Sequence, residues 1–186
     1  MSVQNILLYV ERAFYFAVVV GAIWTGIYFF LYHKKRNNIP WFLCILVWVC
    51  YLSALVQITV IRDFTTFFTI DMDAYSLVSI QPIPLKTTIE AATLGLYSLV
   101  YHTIGNMVWF LPFGFLAPIV YPKISMKKVV CFAGLMSIGI EILQFVCQSG
   151  ISDIDDTILN VFGAMVGYLG YVTIGHVVQS KRKIES

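Results

Sequence analysis

The sequence has few charged residues for its length. Asp, Glu, Lys and Arg make up 12% of its 186 residues, whereas 59% of the residues are hydrophobic. A soluble domain carries about 25% charged residues, so this chain has too few charges to cover a surface in water. The formal net charge of +2 is also too small to indicate a nucleic-acid-binding surface. The composition therefore indicates an integral membrane protein, with membrane lipids as its partners and no nucleic acid.

Closely paired cysteines and the residue pattern expected of a cleavable leader are also not seen in the sequence. The four cysteines lie inside apolar runs without the close spacing of a zinc or redox site: Cys44, Cys50, Cys131 and Cys147. They are typical of small apolar residues in a core or facing lipid. Glu11 and Arg12 precede the first long apolar run, and no small-residue cleavage site follows it. We therefore expect that run to stay in the membrane.

Long apolar runs are abundant. A helix needs about 20 apolar residues to cross the hydrocarbon core of a bilayer. Five runs meet this requirement: Ala13–Tyr32, Pro40–Ile61, Ser98–Val120, Val129–Cys147 and Ile154–Val178. They predict an all-α bundle of about five transmembrane helices with an outer interfacial segment between helices 2 and 3. We predict one membrane domain over residues 1–186, in which residues 13–61 form two N-terminal anchor helices and residues 62–178 form a core with three transmembrane helices.

The basic residues indicate the orientation of the chain. Lys and Arg are enriched in cytoplasmic loops. Three basic residues lie between spans one and two, three between spans three and four, and three after span five: Lys34, Lys35, Arg36, Lys123, Lys127, Lys128, Lys181, Arg182 and Lys183. Most acidic residues fall in the alternate connections. A multi-pass protein of the cell membrane with its N-terminus outside and its C-terminus in the cytoplasm is therefore predicted.

The segment from Asp63 to Tyr97 is too polar to span a membrane. Its prolines favour an extended stretch over Ile80–Leu85. Thr87 and Glu90 have the spacing of a capping box, which predicts a short helix along the outer interface. Three apolar or aromatic residues are expected on that helix: Leu94, Tyr97 and Tyr101.

Glu141 and Gln144 are polar residues within the fourth span. An ionisable group there costs about 2.5–3.5 kcal/mol and usually faces other helices or a cavity. The two residues are three apart and share a helix face. They could lock two helices together through hydrogen bonds, or they could belong to a functional site.

An acidic cluster opens the fifth span. Ser152 and Asp155 fit a capping box, and the helix dipole favours carboxylates here, although a third acid is less well explained. Polar and small residues then recur at spacings of three and four: Asp153, Asp156, Asn160, Gly163 and Gly167. Such a stripe is expected to pack inward, because paired glycines permit close helix approach.

The third span carries His102 and Asn106 near the same outer end. Between Asn106 and Gly114, Pro112 predicts a break in the helix, which a membrane tolerates only beside protein or a water-filled cavity. Together the polar residues predict an outward-facing pocket: Asn106, Glu141, Gln144, Asp153, Asp156, Asn160 and His102. Its carboxylates could act as an acid/base pair, hold a divalent cation or bind a cationic ligand, and His102 could equally be structural. No metal site and no cofactor is assigned.

Three motifs in the last two-thirds of the chain resemble the VanZ-like family of bacterial membrane proteins. They are Gly105-Asn106 followed by Phe110–Pro118, Ile140–Gln144, and Asp153–Asn160 with Gly163 and Gly167. Ile83–Thr87 is similar to the proline segment upstream in that family. Two features depart from the family pattern: Ser149–Ser152 stands where many members have an arginine, and Gln81-Pro82 and Leu85 replace more typical residues.

The resemblance implies a role in the cell envelope. The founding member of the family is associated with low-level resistance to teicoplanin-type lipoglycopeptides, and no reaction carries over. One hypothesis is a non-enzymatic membrane protein that binds a lipoglycopeptide or a lipid-linked cell-wall precursor in the outer pocket. The alternative is a membrane hydrolase or transferase acting on a lipid head group or lipid-linked precursor, with Glu141 or Asp156 as general base. A transporter is less favoured, because the chain lacks repeat symmetry.

Overall fold

The computed structural model describes residues 3–32, 39–61 and 80–185. Six α-helices follow one another along these residues, and the second continues into a π-helix at Gln57–Ile61. The helices are α1 (Val3–Tyr32), α2 (Ile39–Val56), α3 (Lys86–Thr93), α4 (Leu96–Val120), α5 (Met126–Val146) and α6 (Ile154–Glu185). Two short strands, β1 (Ile80–Gln81) and β2 (Ser152–Asp153), pair in parallel.

Five of the helical segments are long and apolar enough to cross a membrane. They are Leu7–Phe30, Ile39–Ile61, Leu96–Val120, Met126–Val146 and Ile154–Val178. Large apolar side chains such as Val19, Leu135 and Phe162 are exposed on their outer faces. Helices satisfy their own backbone hydrogen bonds, which is the condition for crossing hydrocarbon. The predicted all-α membrane fold with five spans is confirmed.

The chain divides into two compact units. The first contains residues 1–79 and 143–151, and the second contains residues 80–142 and 152–186. Residues 33–38 and 62–79 lie outside the described residues, and the latter range contains the first part of the predicted outer segment that begins at Asp63.

Helices α1 and α2 of the first unit approach closely near Gly21. A Cβ atom on Gly21 would lie 2.8 Å from Cys50 Sγ, and that thiol donates a hydrogen bond to the Ala17 carbonyl at 3.5 Å. The rings of Tyr28 and Phe42 pack 4.5 Å apart between centroids. The cysteine thus serves as a small packing residue, in agreement with the sequence.

Helices α4 and α6 form the close contact of the second unit. A Cβ atom on Gly163 would overlap the backbone of Met107, at 2.8 Å from its Cα, and one on Gly167 would overlap the backbone of Leu111. Gly114 makes the reciprocal approach from α4 to the backbone of Ala164. The predicted close helix approach at Gly163 and Gly167 is confirmed.

The predicted break in the third span is wrong. Helix α4 runs without interruption from Leu96 to Val120 and contains both Pro112 and Pro118. A proline removes one backbone hydrogen bond, whereas a break would leave several backbone groups unpaired in hydrocarbon. The backbone contact with α6 at Gly114 also holds the helix on the far side of Pro112.

The short helix α3 starts and ends differently from the prediction. Its N-cap residue is Leu85, with φ 65°, and that residue provides no side-chain cap, so the predicted capping box of Thr87 and Glu90 is wrong. The predicted extended stretch is a strand only at Ile80–Gln81. The chain turns at Gly95, where φ is 119°, and Tyr97 and Tyr101 therefore belong to the membrane-spanning α4 rather than to α3.

Candidate functional site

Asp153 caps the N-terminus of α6. Its Oδ1 accepts a hydrogen bond from the Asp155 amide at 2.9 Å, and its own amide donates to Glu141 Oε2 at 2.7 Å. Asp153 and Glu141 are each 6% exposed. The predicted capping box of Ser152 and Asp155 is therefore wrong, because Asp153 takes the capping position and Ser152 belongs to β2. Glu141 anchors this turn to α5.

Asp155 caps a different helix, α3. Its carboxylate accepts hydrogen bonds from the amide of Leu85, from the amide of Thr88 at 2.9 Å and from Thr88 Oγ1 at 2.9 Å. Asp155 is 1% exposed. A carboxylate at this position satisfies amides of the first turn, which have no partner inside the helix. The acid that opens α6 therefore docks α3, and the pairing of β1 with β2 lies next to it in the chain.

Asp156 is the acid of the cluster that remains partly open. Its Oδ1 accepts a hydrogen bond from Asn106 Nδ2 at 2.6 Å and lies 3.8 Å from His102 Nδ1. The side chains of His102 and Asp156 are 16% and 25% exposed. On the other side of the ring, His102 Nε2 lies 3.4 Å from Thr88 Oγ1. Helices α3 and α6 each contribute one residue to this arrangement and α4 contributes two. We call it the Asp156 site: Thr88, His102, Asn106 and Asp156.

Asn160 lies one turn deeper on α6 and contacts α5. Its Nδ2 donates to Ser137 Oγ at 2.9 Å, and Ser137 in turn donates to Thr157 Oγ1 at 3.3 Å. Asn160 and Ser137 are both buried. Their hydrogen bonds hold α5 against α6, as interhelical polar contacts do in membranes.

Gln144 belongs to the other compact unit. Its Nε2 donates a hydrogen bond to the Thr59 carbonyl at 2.9 Å, within the π-helix that ends the second span. Of the predicted pocket residues, the structure brings His102, Asn106 and Asp156 together and joins Glu141 to Asp153. Asn160 has its own partner, and the predicted pocket as a whole stays a prediction.

The Asp156 site is suited to proton exchange or to binding a polar group. It combines one carboxylate with an imidazole and an amide, and the carboxylate is partly accessible. A carboxylate and a histidine within reach of each other are the usual components of acid–base chemistry. Among the described residues, no group of three or more His, Cys, Asp or Glu side chains could hold a metal ion.

Comparison with known proteins places the chain in a family. The family model described as VanZ/LLP1 matches residues 41–175. The chain belongs to the VanZ/LLP1 family. This confirms the resemblance carried by the three motifs, and the matched range contains all four residues of the Asp156 site.

One curated VanZ/LLP1 relative can be compared directly. Protein VanZ of Enterococcus faecium is 33% identical over 79 residues, which is 42% of this chain and 49% of that protein. The chain thus spans about half the length of this relative. No solved structure matches the chain.

Two residues of the VanZ/LLP1 chain, Thr88 and Ser137, were missed by sequence reasoning, and Asp155 was assigned to the wrong helix. All three complete the hydrogen bonds around the predicted residues. Ser137 could have been found, because it lies four residues before Glu141 on the same helix face. Thr88 had no local signal, since its partner Asp155 is 67 residues away.

Proposed function

We propose that this VanZ/LLP1 membrane protein lowers the susceptibility of a bacterial cell to teicoplanin-type lipoglycopeptides, and that it acts through the Asp156 site. This proposal rests on the observation that Asp156 is the acid of the α6 cluster whose side chain stays accessible, at 25% exposure. Asp153 and Asp155 are buried and are used as helix caps. The ligand would be the lipoglycopeptide itself or a lipid-linked cell-wall precursor.

The proposal places the Asp156 site on the outer side of the cell membrane. The basic residues of the connections support this orientation, with the N-terminus outside and the C-terminus in the cytoplasm. The site lies at the start of α6 and in the first part of α4, away from Lys123, Lys127 and Lys128 in the connection to α5. An outer site would be accessible to a drug that does not cross the membrane.

Growth inhibition by antibiotics tests the proposal. The wild-type chain, Asp156→Asn and Glu90→Gln are expressed at matched membrane levels in a teicoplanin-sensitive Gram-positive host. Glu90 is the control, because it is 62% exposed and pairs with Lys86 at 3.9 Å on α3, outside the site. Wild type and Glu90→Gln should protect against teicoplanin, with little effect on vancomycin, and Asp156→Asn should not protect. Equal protection by Asp156→Asn and wild type would refute a role for this carboxylate.

A second function, a membrane enzyme acting on a lipid head group or lipid-linked precursor, is supported by the pairing of His102 with Asp156. Asp156 would act as general base, Asn106 would orient the substrate, and the imidazole would relay a proton. Glu141 is a less favoured base, because its carboxylate already accepts the Asp153 amide. Turnover of labelled lipids in vesicles, with and without a chelator, tests this function and any need for a divalent cation. Turnover that survives Asp156→Asn would exclude the site as its centre.

A further inference from the structure

The hydroxyl group of Thr88 lies within hydrogen-bonding distance of two side chains, Asp155 and His102. Its Oγ1 is 2.9 Å from Asp155 Oδ2 and 3.4 Å from His102 Nε2. Its backbone amide also donates to Asp155 Oδ2, at 2.9 Å. Both bonds to Asp155 hold Thr88 in place in the first turn of α3.

Counting protons assigns a direction to each hydrogen bond. A threonine hydroxyl has one hydrogen to donate, and an ionised carboxylate can only accept. The Thr88 hydrogen therefore goes to Asp155, which leaves a lone pair of Oγ1 facing the imidazole. A contact between that lone pair and Nε2 requires a hydrogen on Nε2. Thr88 thus selects the His102 tautomer whose proton is on Nε2.

The other ring nitrogen then faces Asp156 without a hydrogen. In the neutral ring with Nε2 protonated, Nδ1 is an acceptor, and it lies 3.8 Å from Asp156 Oδ1. An imidazolium would donate from Nδ1 and close this distance to about 2.7–2.9 Å, as charge-assisted hydrogen bonds do. At this wider separation the two acceptors are not joined by a hydrogen bond, and Asn106 donates to the same carboxylate oxygen.

Resting on the proposed function, we propose that a primary ammonium group of the ligand binds beside His102 Nδ1 and Asp156 Oδ1 and donates one N–H to each, and that Thr88 is the positioning residue that keeps Nδ1 available as an acceptor. An ammonium group has three N–H donors and a positive charge. It can therefore bridge both acceptors and neutralise Asp156, whose side chain contacts Asn106 and His102 among the described residues. The ammonium could belong to a membrane lipid or to a soluble molecule, and both sources present the same N–H groups.

The tautomer is tested by nitrogen-15 magnetic resonance of the full chain in nanodiscs. The signal of His102 is assigned by its loss in His102→Gln. Wild type should show a protonated Nε2 and an unprotonated Nδ1 at neutral pH. Thr88→Ser keeps the hydroxyl and should keep this signature, whereas the similarly shaped Thr88→Val should lose it. A doubly protonated ring in wild type, or an unchanged signature in Thr88→Val, would overturn the proposal.

The ligand class is tested on wild type, so it does not depend on the folding of any variant. Nanodiscs containing phosphatidylethanolamine are compared with nanodiscs of phosphatidylcholine, whose trimethylated nitrogen keeps the charge but has no N–H donor. Methylammonium and tetramethylammonium form the matching soluble pair. The Nδ1 signal should shift with the N–H member of at least one pair, and the methylated member should bind at least about tenfold more weakly.

A shift with the lipid pair alone identifies a lipid source, and a shift with the soluble pair alone identifies a soluble amine. Equal shifts with both members of a pair, or no shift with any of the four, would overturn the proposal. Loss of antibiotic protection is a separate readout. A correct tautomer and ammonium binding without any drug protection would reject the proposed function but keep this inference.

Discussion

Removal of the Asp155 carboxylate should detach α3 and destabilise the protein. The carboxylate accepts three hydrogen bonds, from the amides of Leu85 and Thr88 and from the Thr88 hydroxyl, while it is 1% exposed. A hydrogen bond to a charged group contributes about 1.5–3 kcal/mol, and loss of a helix cap costs about 0.5–2 kcal/mol. These contributions overlap, because the same atoms are counted in both. Asp155→Ala should therefore lower the free energy of unfolding by about 3–5 kcal/mol.

Two variants make this prediction specific. Asp155→Asn keeps one oxygen acceptor of similar position, so its loss should be about half that of Asp155→Ala. Glu90→Ala on the same helix removes the exposed pair with Lys86 at 3.9 Å. That change should cost less than about 0.5 kcal/mol.

Unfolding in nanodiscs and hydrogen exchange of the segment 80–95 provide the assay. In Asp155→Ala the amides of α3 should exchange faster, whereas amides in the middle of α4 should keep their protection. If α3 exchanges at the wild-type rate in Asp155→Ala, then the carboxylate does not hold this helix and the reasoning is refuted. Destabilisation without faster exchange in α3 would place the role of Asp155 elsewhere.

Three further changes test packing and polar contacts. Gly163→Ala should lower the free energy of unfolding by about 1–3 kcal/mol, since its methyl group would overlap the Met107 backbone. In the same melting assay Gly105→Ala should be tolerated, because its added Cβ has nothing within 4 Å. Glu141→Gln should keep most antibiotic protection, because its side-chain oxygen can still accept the Asp153 amide; a loss as large as that of Asp156→Asn would show that the charge of Glu141 is required. Gln57→Met should raise the free energy of unfolding by about 1–2 kcal/mol, since the buried amide has no partner among the described residues and the thioether fits a similar volume. A decrease in the free energy of unfolding would indicate that the amide binds something.

The membrane spans and the α4–α6 contact could be predicted because they depend on local composition and periodicity. A run of about 20 apolar residues is a sufficient signal for a membrane helix. The spacing of Gly163 and Gly167 likewise indicates a close-packed helix face without knowledge of the partner. The prediction that Asp156 lies near Asn106 followed from the same periodicity together with the expected outer position of both residues.

The cap of α3 could not be predicted because a remote group replaced the local one, whereas the cap of α6 moved by only one residue, from Ser152 to Asp153. The sequence offers Thr87 and Ser152 as local caps, each with an acid three residues later. In the structure Asp155 reaches Thr88 across 67 residues of chain. A buried carboxylate presents two charged acceptor oxygens, whereas a threonine or serine hydroxyl presents one neutral oxygen, so the carboxylate is the stronger cap for free amides. Only the tertiary fold brings it there.

The acidic cluster is stable because its three carboxylates have different partners. Like charges this close repel, and a helix N-terminus alone compensates about half an elementary charge. The carboxylate of Asp153 is stabilised by an amide of α6, and the carboxylate of Asp155 by amides of α3. Asp156 retains the least compensated charge and the greatest exposure of the three. Docking of α3 therefore has two effects at once: its amides compensate the charge of Asp155, and it brings Thr88 to His102, so the interfacial segment and the Asp156 site must form together.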